Sequence, residues 1–206
     1  MRAIAIPPQN EAATPSEAEL LRRLRAGDES AFDIVVRRYQ ERIFRYVSRL
    51  VGDADEASDI AQETFIRAYG QIDRFRGESA LYTWLYRIAS NLSINALRKR
   101  GLRSFIGLDE APSLVAAGGP EEDLRAAQIR ERVAEAVDQL PPRQRSIFIL
   151  RQYDQLSHRE ISKVVGSSEG AVRAGYFHAV KKLQKSLADL TATYDDGTDS
   201  HREQGS

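Results

Sequence analysis

The sequence predicts an all-α protein with two small helical domains joined by a flexible linker. Apolar residues recur every three to four positions over long stretches of the 206-residue chain, as they do on amphipathic helices. Glycine, proline, serine or aspartate separates these stretches, at the places where helices end and begin. The periodicity is lost over residues 101–122, where Gly, Pro, Ala and acidic residues dominate. This segment therefore divides the chain into two parts.

The composition fits a folded protein and excludes several kinds of site. Hydrophobic residues make up 42% of the chain and charged residues 29%. The 30 basic and 30 acidic residues cancel, so DNA binding would have to depend on local basic clusters. Without cysteine there is no disulfide, thiol nucleophile or cysteine-zinc site, which fits a reducing cytoplasm. We expect no secretory signal and no membrane span, because every apolar run is too short.

The first domain is predicted over residues 17–100, after a disordered segment at 1–16. A short helix ends at Gly27, and Asp28 or Ser30 then caps a second helix that ends at Gly52. The apolar repeat of that second helix predicts its buried face: Phe32, Val35, Val36, Tyr39, Ile43, Tyr46, Val47 and Leu50.

A third helix is predicted over residues 53–70, with an apolar and a polar face. Its apolar stripe comprises Ile60, Thr64 and Ala68, flanked by Ala61, Phe65 and Tyr69. Its polar face comprises Asp59, Gln62, Glu63 and Arg67. Considered alone, these polar residues are most simply solvated pairs spaced by four. Docking on a partner is the alternative.

A fourth helix is predicted over residues 80–100, after a short basic loop. Leu81, Leu85, Ile88 and Leu92 should be buried, whereas a second face is polar and consists of Arg87, Asn91, Asn95 and Arg98. The loop supplies guanidinium, aromatic and hydroxyl groups that suit unpaired bases: Arg74, Phe75, Arg76 and Ser79. Trp84 and Tyr86 could stack on bases, but core packing is the simpler interpretation.

The second domain is predicted over residues 123–188 and contains a helix-turn-helix. Ser157 and Glu160 form a capping-box pattern, and the short helix that follows ends at Gly166. Ser167 or Ser168 then caps a longer helix. In this motif the second helix enters the major groove of DNA. Residues 189–206 are polar and are predicted to be disordered.

The outer face of the helix-turn-helix carries the candidate DNA contacts, although any single lysine there could simply be solvated. These residues are Arg159, Lys163, Ser167, Ser168, Glu169, Arg173, Phe177, His178, Lys181 and Lys182. Signals for an enzyme, a metal or a cofactor are absent, because the histidines are isolated and no phosphate loop or nucleophile motif occurs. His158, in a first helical turn, is expected to face solvent.

Two stretches carry a resemblance to a known family. Residues 59–69, DIAQETFIRAY, and 75–100, FRGESALYTWLYRIASNLSINALRKR, resemble conserved region 2 of bacterial sigma factors of the extracytoplasmic-function (ECF) class. The helix-turn-helix and the preceding DQLPPRQRSIFILRQYDQLSHREIS resemble sigma region 4. The resemblance implies a non-enzymatic factor that binds core RNA polymerase and directs it to promoter DNA.

The resemblance also assigns roles to the candidate residues. The face Asp59–Arg67 would dock on the clamp helices of the polymerase β′ subunit, and region 4 would contact the β flap. Loop 74–79 and the fourth helix would bind the −10 element, with one base flipped out of the non-template strand. The helix-turn-helix would read the −35 element. An anti-sigma factor is implied as a further partner, and the linker either tethers the domains or also crosses the polymerase near its active-site channel.

One position departs from the family pattern. A typical ECF recognition helix has a basic residue where this chain has Gly175, so base readout could shift to Arg173, Phe177 and His178. Two rivals remain at this point. One is a stand-alone helix-turn-helix regulator that never binds polymerase, and the other is an interaction module that binds polymerase or an anti-sigma factor without reading DNA.

Overall fold

The structure, a computed structural model, describes residues 15–75, 77, 79–105 and 124–188, which are helical and contain no strand. The first domain comprises α1 (Glu17–Arg25), α2 (Glu29–Val51), α3 (Ala54–Tyr69), a 3-10 turn (Ile72–Arg74) and α4 (Leu81–Phe105). The second comprises α5 (Leu124–Asp138), α6 (Pro142–Gln152), α7 (His158–Val165) and α8 (Glu169–Ser186). The all-α prediction is confirmed for this part of the chain.

Helix boundaries in the first domain follow local capping signals. Asp28 caps α2, because its carboxylate accepts a hydrogen bond from the Ser30 amide at 3.1 Å. Gly52 ends α2 with a φ of 76°, a conformation that glycine adopts without steric cost. Asp53 then accepts from the Glu56 amide at 2.7 Å and begins α3. These caps turn the chain sharply, so that α2 and α3 pack against each other.

The predicted apolar stripes form the core of the first domain. The whole predicted face of α2 is buried except Val36, which is half-buried. On α3 the stripe is buried as predicted, but Tyr69 is 49% exposed, and its hydroxyl donates to Glu29 at 3.1 Å. Tyr69 therefore lies at the rim of the core, where a phenol can pack one edge and keep its hydroxyl in water.

Helix α4 ends at Phe105, five residues beyond the predicted end at 100, and it therefore extends into the predicted linker. Leu81 and Leu85 are fully buried, and Ile88 and Leu92 are half-buried against the same core. The rest of the predicted linker, residues 106–122, lies outside the described residues, as do 1–14 and 189–206. The predictions of disorder at both ends therefore fall outside the structure, apart from residues 15 and 16, which lead into α1.

The second domain is built by α6, α7 and α8, with α5 packed on α8. Pro142 occupies the first turn of α6, where a missing amide hydrogen costs nothing. The apolar residues of α6 predict Ile147, Phe148 and Leu150 as core positions; Ile147 and Leu150 are buried, Phe148 is half-buried, and Ile149 is fully buried as well. Ile149 is buried because α6 has a second covered face: it packs against α2 and α4 as well as against α7 and α8.

The two domains pack on each other. Helix α4 lies against α7 and α6, and α2 lies against α6. One continuous apolar cluster joins residues of the first domain, such as Val35 and Leu85, to Ile149 and Ile161 of the second. The sequence predicted two domains on a flexible linker and gave no interface between them. This packing is therefore a finding of the structure.

Candidate nucleic-acid and partner interfaces

The predicted capping box orders the start of the helix-turn-helix. Ser157 Oγ accepts from the Glu160 amide at 3.2 Å, and the Glu160 carboxylate accepts from the Ser157 amide at 2.7 Å. Hydrogen bonds from Ser157 and from the Tyr82 hydroxyl hold the pKa of Glu160 below its ordinary value. The carboxylate is thus a fixed negative charge at the N-terminus of α7, where the helix dipole stabilises it.

The turn and the recognition helix follow the predicted pattern. Gly166 ends α7 with a φ of 61°, and Ser168 caps α8 by accepting from the Ala171 amide at 3.2 Å. Of the two candidate caps, Ser168 is therefore the one used, and Ser167 remains half-buried in the turn. Ile161 and Val164 of α7 and Val172 of α8 are buried between the helices. The angle between the two helices is fixed by this apolar contact and by the glycine turn.

The predicted −35 residues share one property: apart from Ser167, all are exposed at the surface. They are Arg159, Lys163, Ser168, Glu169, Arg173, Phe177, His178, Lys181 and Lys182. Arg173 pairs with Glu169 at 3.1 Å, one turn apart on an exposed face, an arrangement of marginal energetic value that DNA phosphate could displace. Phe177 is 62% exposed, and a single exposed aromatic ring of this kind is ordinary on a protein surface.

Gly175 lies on the inner side of the recognition helix. A Cβ atom at this position would stand 3.0 Å from Ile147 Cδ1 of α6. The direction of that contact means that a side chain at 175 would point at α6, not outward. The sequence analysis interpreted Gly175 as a lost DNA contact. In this fold its small size instead permits the close approach of α6 and α8.

His158 is not the solvent-facing residue that its position in a first turn predicted. Its ring lies 6.0 Å from that of Tyr176, and its Nε2 atom is buried without a hydrogen-bond partner among the described residues. The expectation failed because the side chain folds back between α7 and α8. A place in the first turn of a helix does not determine whether a side chain points to solvent or packs against a neighbouring helix.

Helix α4 presents its predicted polar face to solvent. Arg87, Asn91, Asn95 and Arg98 are all exposed on the described surface. The spacing of these residues places amide and guanidinium groups along several turns of one rigid helix. Such groups can accept and donate hydrogen bonds at base edges and phosphates. The structure therefore brings these four predicted side chains onto one accessible face.

The loop before α4 is arranged differently from the sequence interpretation. Phe75 is only 7% exposed, and its ring packs against Trp84 with the centroids 4.9 Å apart. Its carbonyl oxygen accepts from Arg25 Nη2 at 3.3 Å, which ties the loop to α1. In this conformation Phe75 anchors the loop and offers no open face to a base. Ser79 is half-buried, the side chain of Arg74 is not described, and Arg76 lies outside the described residues.

The polar face of α3 is accessible and borders an apolar groove. Asp59, Gln62 and Arg67 are exposed, whereas Glu63 is half-buried and accepts from Arg67 at 2.6 Å. Beside them α2 and α3 enclose a groove of about 700 Å³, whose exposed apolar residues are Phe44, Ile66 and Tyr69. The sequence analysis missed this groove. The available signal was that Phe44 and Ile66 are large apolar residues outside the periodic stripes of their helices.

Comparison with known proteins decides the family. The family described as Sigma-70 region 2 matches residues 35–103, and the one described as Sigma-70, region 4 matches residues 130–183. The RNA polymerase sigma-H factor of Pseudomonas aeruginosa is 38% identical over 84% of this chain and 95% of its own length. The chain belongs to the ECF sigma factor family. Its first and second domains are accordingly called region 2 and region 4 below.

Two further similarities agree with this assignment. The ECF RNA polymerase sigma-E factor of Salmonella typhimurium is 36% identical, over 83% of this chain and 94% of that protein. Among solved structures, the sigma factor RpoE of Bartonella quintana, crystallised with the anti-sigma factor NepR, has a TM-score of 0.64 at 22% identity. That match covers 76% of this chain and 96% of the other, and at this identity it supports the fold alone.

The described part of the chain was also searched for metal sites and for membrane-spanning helices. No group of three or more histidine, aspartate or glutamate side chains is placed to hold a metal ion there. No described helix is both long and apolar enough to cross a membrane.

Proposed function

We propose that this chain is the promoter-recognition subunit of a bacterial RNA polymerase holoenzyme. As an ECF sigma factor it binds core polymerase, directs it to promoters with matching −35 and −10 elements, and helps to separate the strands at −10. The observation that carries the proposal is the organisation of residues 53–105. They form two long helices with accessible polar faces, where a stand-alone regulator would need an effector or dimerisation domain.

The polymerase contact is assigned to α3. The groove combines the exposed apolar residues Ile66 and Phe44 with the polar Gln62, and Asp59 and Arg67 are exposed on the same helix. An apolar centre with a polar edge is typical of a protein interface. The clamp helices of the β′ subunit are the partner that the family resemblance implies. Region 4 would contact the β flap while it holds the −35 element.

Strand separation needs no catalytic side chain in this account. Opening DNA costs about 1.4 kcal/mol of stacking per base-pair step. The exposed face of α4, with Arg87, Asn91, Asn95 and Arg98, would offset part of that cost by binding the unpaired non-template strand. The protein would thus favour the open state by selective binding and leave the chemistry to the polymerase. Its work would take place on the nucleoid, in the cytoplasm.

An anti-sigma factor is proposed as a second partner. The structurally similar RpoE was crystallised with such a factor. In this chain the groove between α2 and α3 is an accessible apolar surface that an inhibitory protein could cover. An inhibitor on this groove would compete directly with the polymerase contact assigned above.

The experiment that tests the polymerase contact is a binding titration with purified core RNA polymerase. Replacing Gln62→Ala and Glu63→Ala together should weaken binding at least tenfold, because it removes Gln62, which lines the groove, and Glu63, which holds Arg67 by a 2.6 Å hydrogen bond. Asp55→Ala is the matched control, since Asp55 is an exposed acid on the first turn of the same helix and lies away from the groove. Equal affinity of the double variant and the wild type would contradict the assignment. If even the wild type failed to bind polymerase but bound specific DNA, the chain would be a stand-alone regulator.

A further inference from the structure

The exposed side of α8 carries positive charge that no described residue neutralises. Lys181 and Lys185 are spaced by four and share one side of the helix with Phe177, and Lys182 lies beside them. All four side chains are exposed, and none of the three lysines forms an ion pair within the part of the chain that the structure describes. These four residues are called the basic face below. Like charges one turn apart repel each other, so the basic face favours an anionic partner.

Helix α8 cannot supply that anion itself. Glu169 is the only acid among its 18 residues, and it lies in the first turn, where it pairs with Arg173 at 3.1 Å. The neighbouring helices α5, α6 and α7 pack on the other side of α8, where Val172, Ala179 and Leu183 are buried. The basic face is therefore open to an anion from outside the helical bundle.

The segment that follows α8 is acidic. Residues 189–206 contain five acidic side chains and one arginine, and three of the acids stand close together at positions 195, 196 and 199. Residues 1–188 accordingly hold 29 basic and 25 acidic side chains, so the neutrality of the chain depends on this acidic segment. Opposite charges on neighbouring parts of one chain attract each other, and the basic face and the acidic segment are complementary in this sense.

The acidic segment is long enough to reach the whole basic face. Each residue of a helix rises about 1.5 Å, so Phe177 lies about 16 Å before Ala188 along α8. An extended chain covers up to about 3.3 Å per residue, so Asp195, seven residues after Ala188, can reach about 23 Å back along the helix. The three clustered aspartates can therefore lie beside the three lysines of the basic face.

We propose that residues 189–206 fold back on the basic face of α8 and shield it from DNA. This inference rests on the proposed function, because Lys181 and Lys182 are among the residues assigned to the −35 contact. Exposed ion pairs are individually weak, so promoter DNA held by the polymerase can displace the segment. The free chain has no such help, and a genome offers it a very large number of non-promoter sites. The segment thus keeps the free chain off bulk DNA and available to polymerase.

Neutralisation of the acidic segment tests its effect on DNA binding. The neutral variant is the full chain with Asp195→Asn, Asp196→Asn and Asp199→Asn. We expect its affinity for a duplex without promoter elements to be about fivefold higher than that of the wild type at about 50 mM salt. The difference should disappear near about 0.5 M salt, because salt screens exposed charges.

A matched control separates shielding from a general effect of net charge. It removes the same amount of charge from three exposed aspartates of region 2 through Asp33→Asn, Asp55→Asn and Asp73→Asn. We expect this control to change the affinity by less than about twofold, since the attraction of distant exposed charges is largely screened. An equal rise in the control and in the neutral variant would overturn the shielding, and so would unchanged affinity of the neutral variant.

The contact itself is measured by NMR without DNA or polymerase. The backbone amide shifts of Phe177, Lys181 and Lys185 should differ between the wild type and the neutral variant at low salt and coincide at high salt. Identical shifts at low salt would overturn the proposal. A difference that grows with protein concentration would assign the contact to a second copy of the chain. Shifts that respond only to neutralisation of the linker acids at 121–123 would assign it to the linker. Both results would contradict the proposal.

The outcomes also separate this inference from the proposed function. The amide shifts report the contact whether or not the chain acts with polymerase, whereas reconstituted transcription reports the proposed function. A wild-type chain that shows the contact but supports no transcription would contradict the proposed function. Normal transcription by a chain whose α8 amides do not respond to the neutral variant would contradict this inference alone.

Discussion

Individual side chains in this protein take their roles from tertiary neighbours that the sequence does not reveal. Arg87, Asn91, Asn95 and Arg98 lie where helical periodicity predicts, because an exposed polar face depends only on the helix itself. Phe75, in the loop before α4, was expected to face bases and is covered by Trp84 instead. Residue type and spacing can predict a helix face. Residue type and spacing cannot predict which core residues the side chains of an irregular loop will pack against.

A basic side chain at position 175 should destabilise the protein and should not improve its binding to DNA. Gly175→Lys would restore the basic residue of the family pattern, but its Cβ atom would meet Ile147 at 3.0 Å. Overpacking of this kind costs about 1–3 kcal/mol and outweighs the gain of about 1 kcal/mol from removing a glycine inside a helix, because Ile147 is itself buried and cannot move away freely. We therefore expect a lower melting temperature and no gain in −35 DNA binding. Ala174→Lys, on the exposed neighbour, is the control and should leave stability within about 0.5 kcal/mol of the wild type. Tighter DNA binding by Gly175→Lys at unchanged stability would show that position 175 faces DNA after all.

Helices were the most predictable part of the molecule. The capping box of α7, the glycine turn and the cap of α8 are local signals, and each involves residues within a few positions of one another. The extension of α4 to Phe105 was not predictable in the same way. The extension begins with Gly101, a weak helix former, and a sequence analysis therefore ends the helix too early.

Removal of the N-terminal cap of α7 should destabilise region 4. Ser157→Ala removes the hydroxyl that accepts from the Glu160 amide, and we expect region 4 to lose about 1 kcal/mol of stability. Hydrogen exchange should accelerate first at the amides of the first turn of α7. Ser186→Ala, an exposed serine at the end of α8, is the control. Unchanged exchange in α7 would mean that packing against α4, α6 and α8 holds the helix without the cap.

At the scale of the whole molecule, the sequence predicted the two regions but not how they meet. The only clue was the presence of Ser90 and Ser146 on helix faces that are otherwise apolar. Single serines are common in helices, so the clue acquires meaning only when both meet Tyr46 in space. Contacts between residues about 100 positions apart depend on the arrangement of complete helices. Periodicity within one helix carries no information about them.

Tyr46 links this interface to pH. Burial raises the pKa of its phenol to about 12, from an ordinary value near 10. Because the folded state holds the proton more tightly, its stabilising contribution is complete below about pH 10 and is lost as the pH rises towards 12. We therefore expect stability to fall by roughly 2–3 kcal/mol over this interval. The measurement is denaturant unfolding as a function of pH, and Tyr46→Phe should flatten the dependence. An equally steep decline in Tyr46→Phe would place the effect elsewhere.

The central claim is that this chain gives core RNA polymerase its promoter specificity. The most direct measurement is transcription by core polymerase reconstituted with the purified chain, on a pool of genomic promoter fragments, with start sites mapped. The account predicts discrete start sites that require the chain and disappear with the Gln62→Ala, Glu63→Ala variant. Specific binding to DNA in the absence of polymerase, unchanged in that variant and without new start sites, would contradict it.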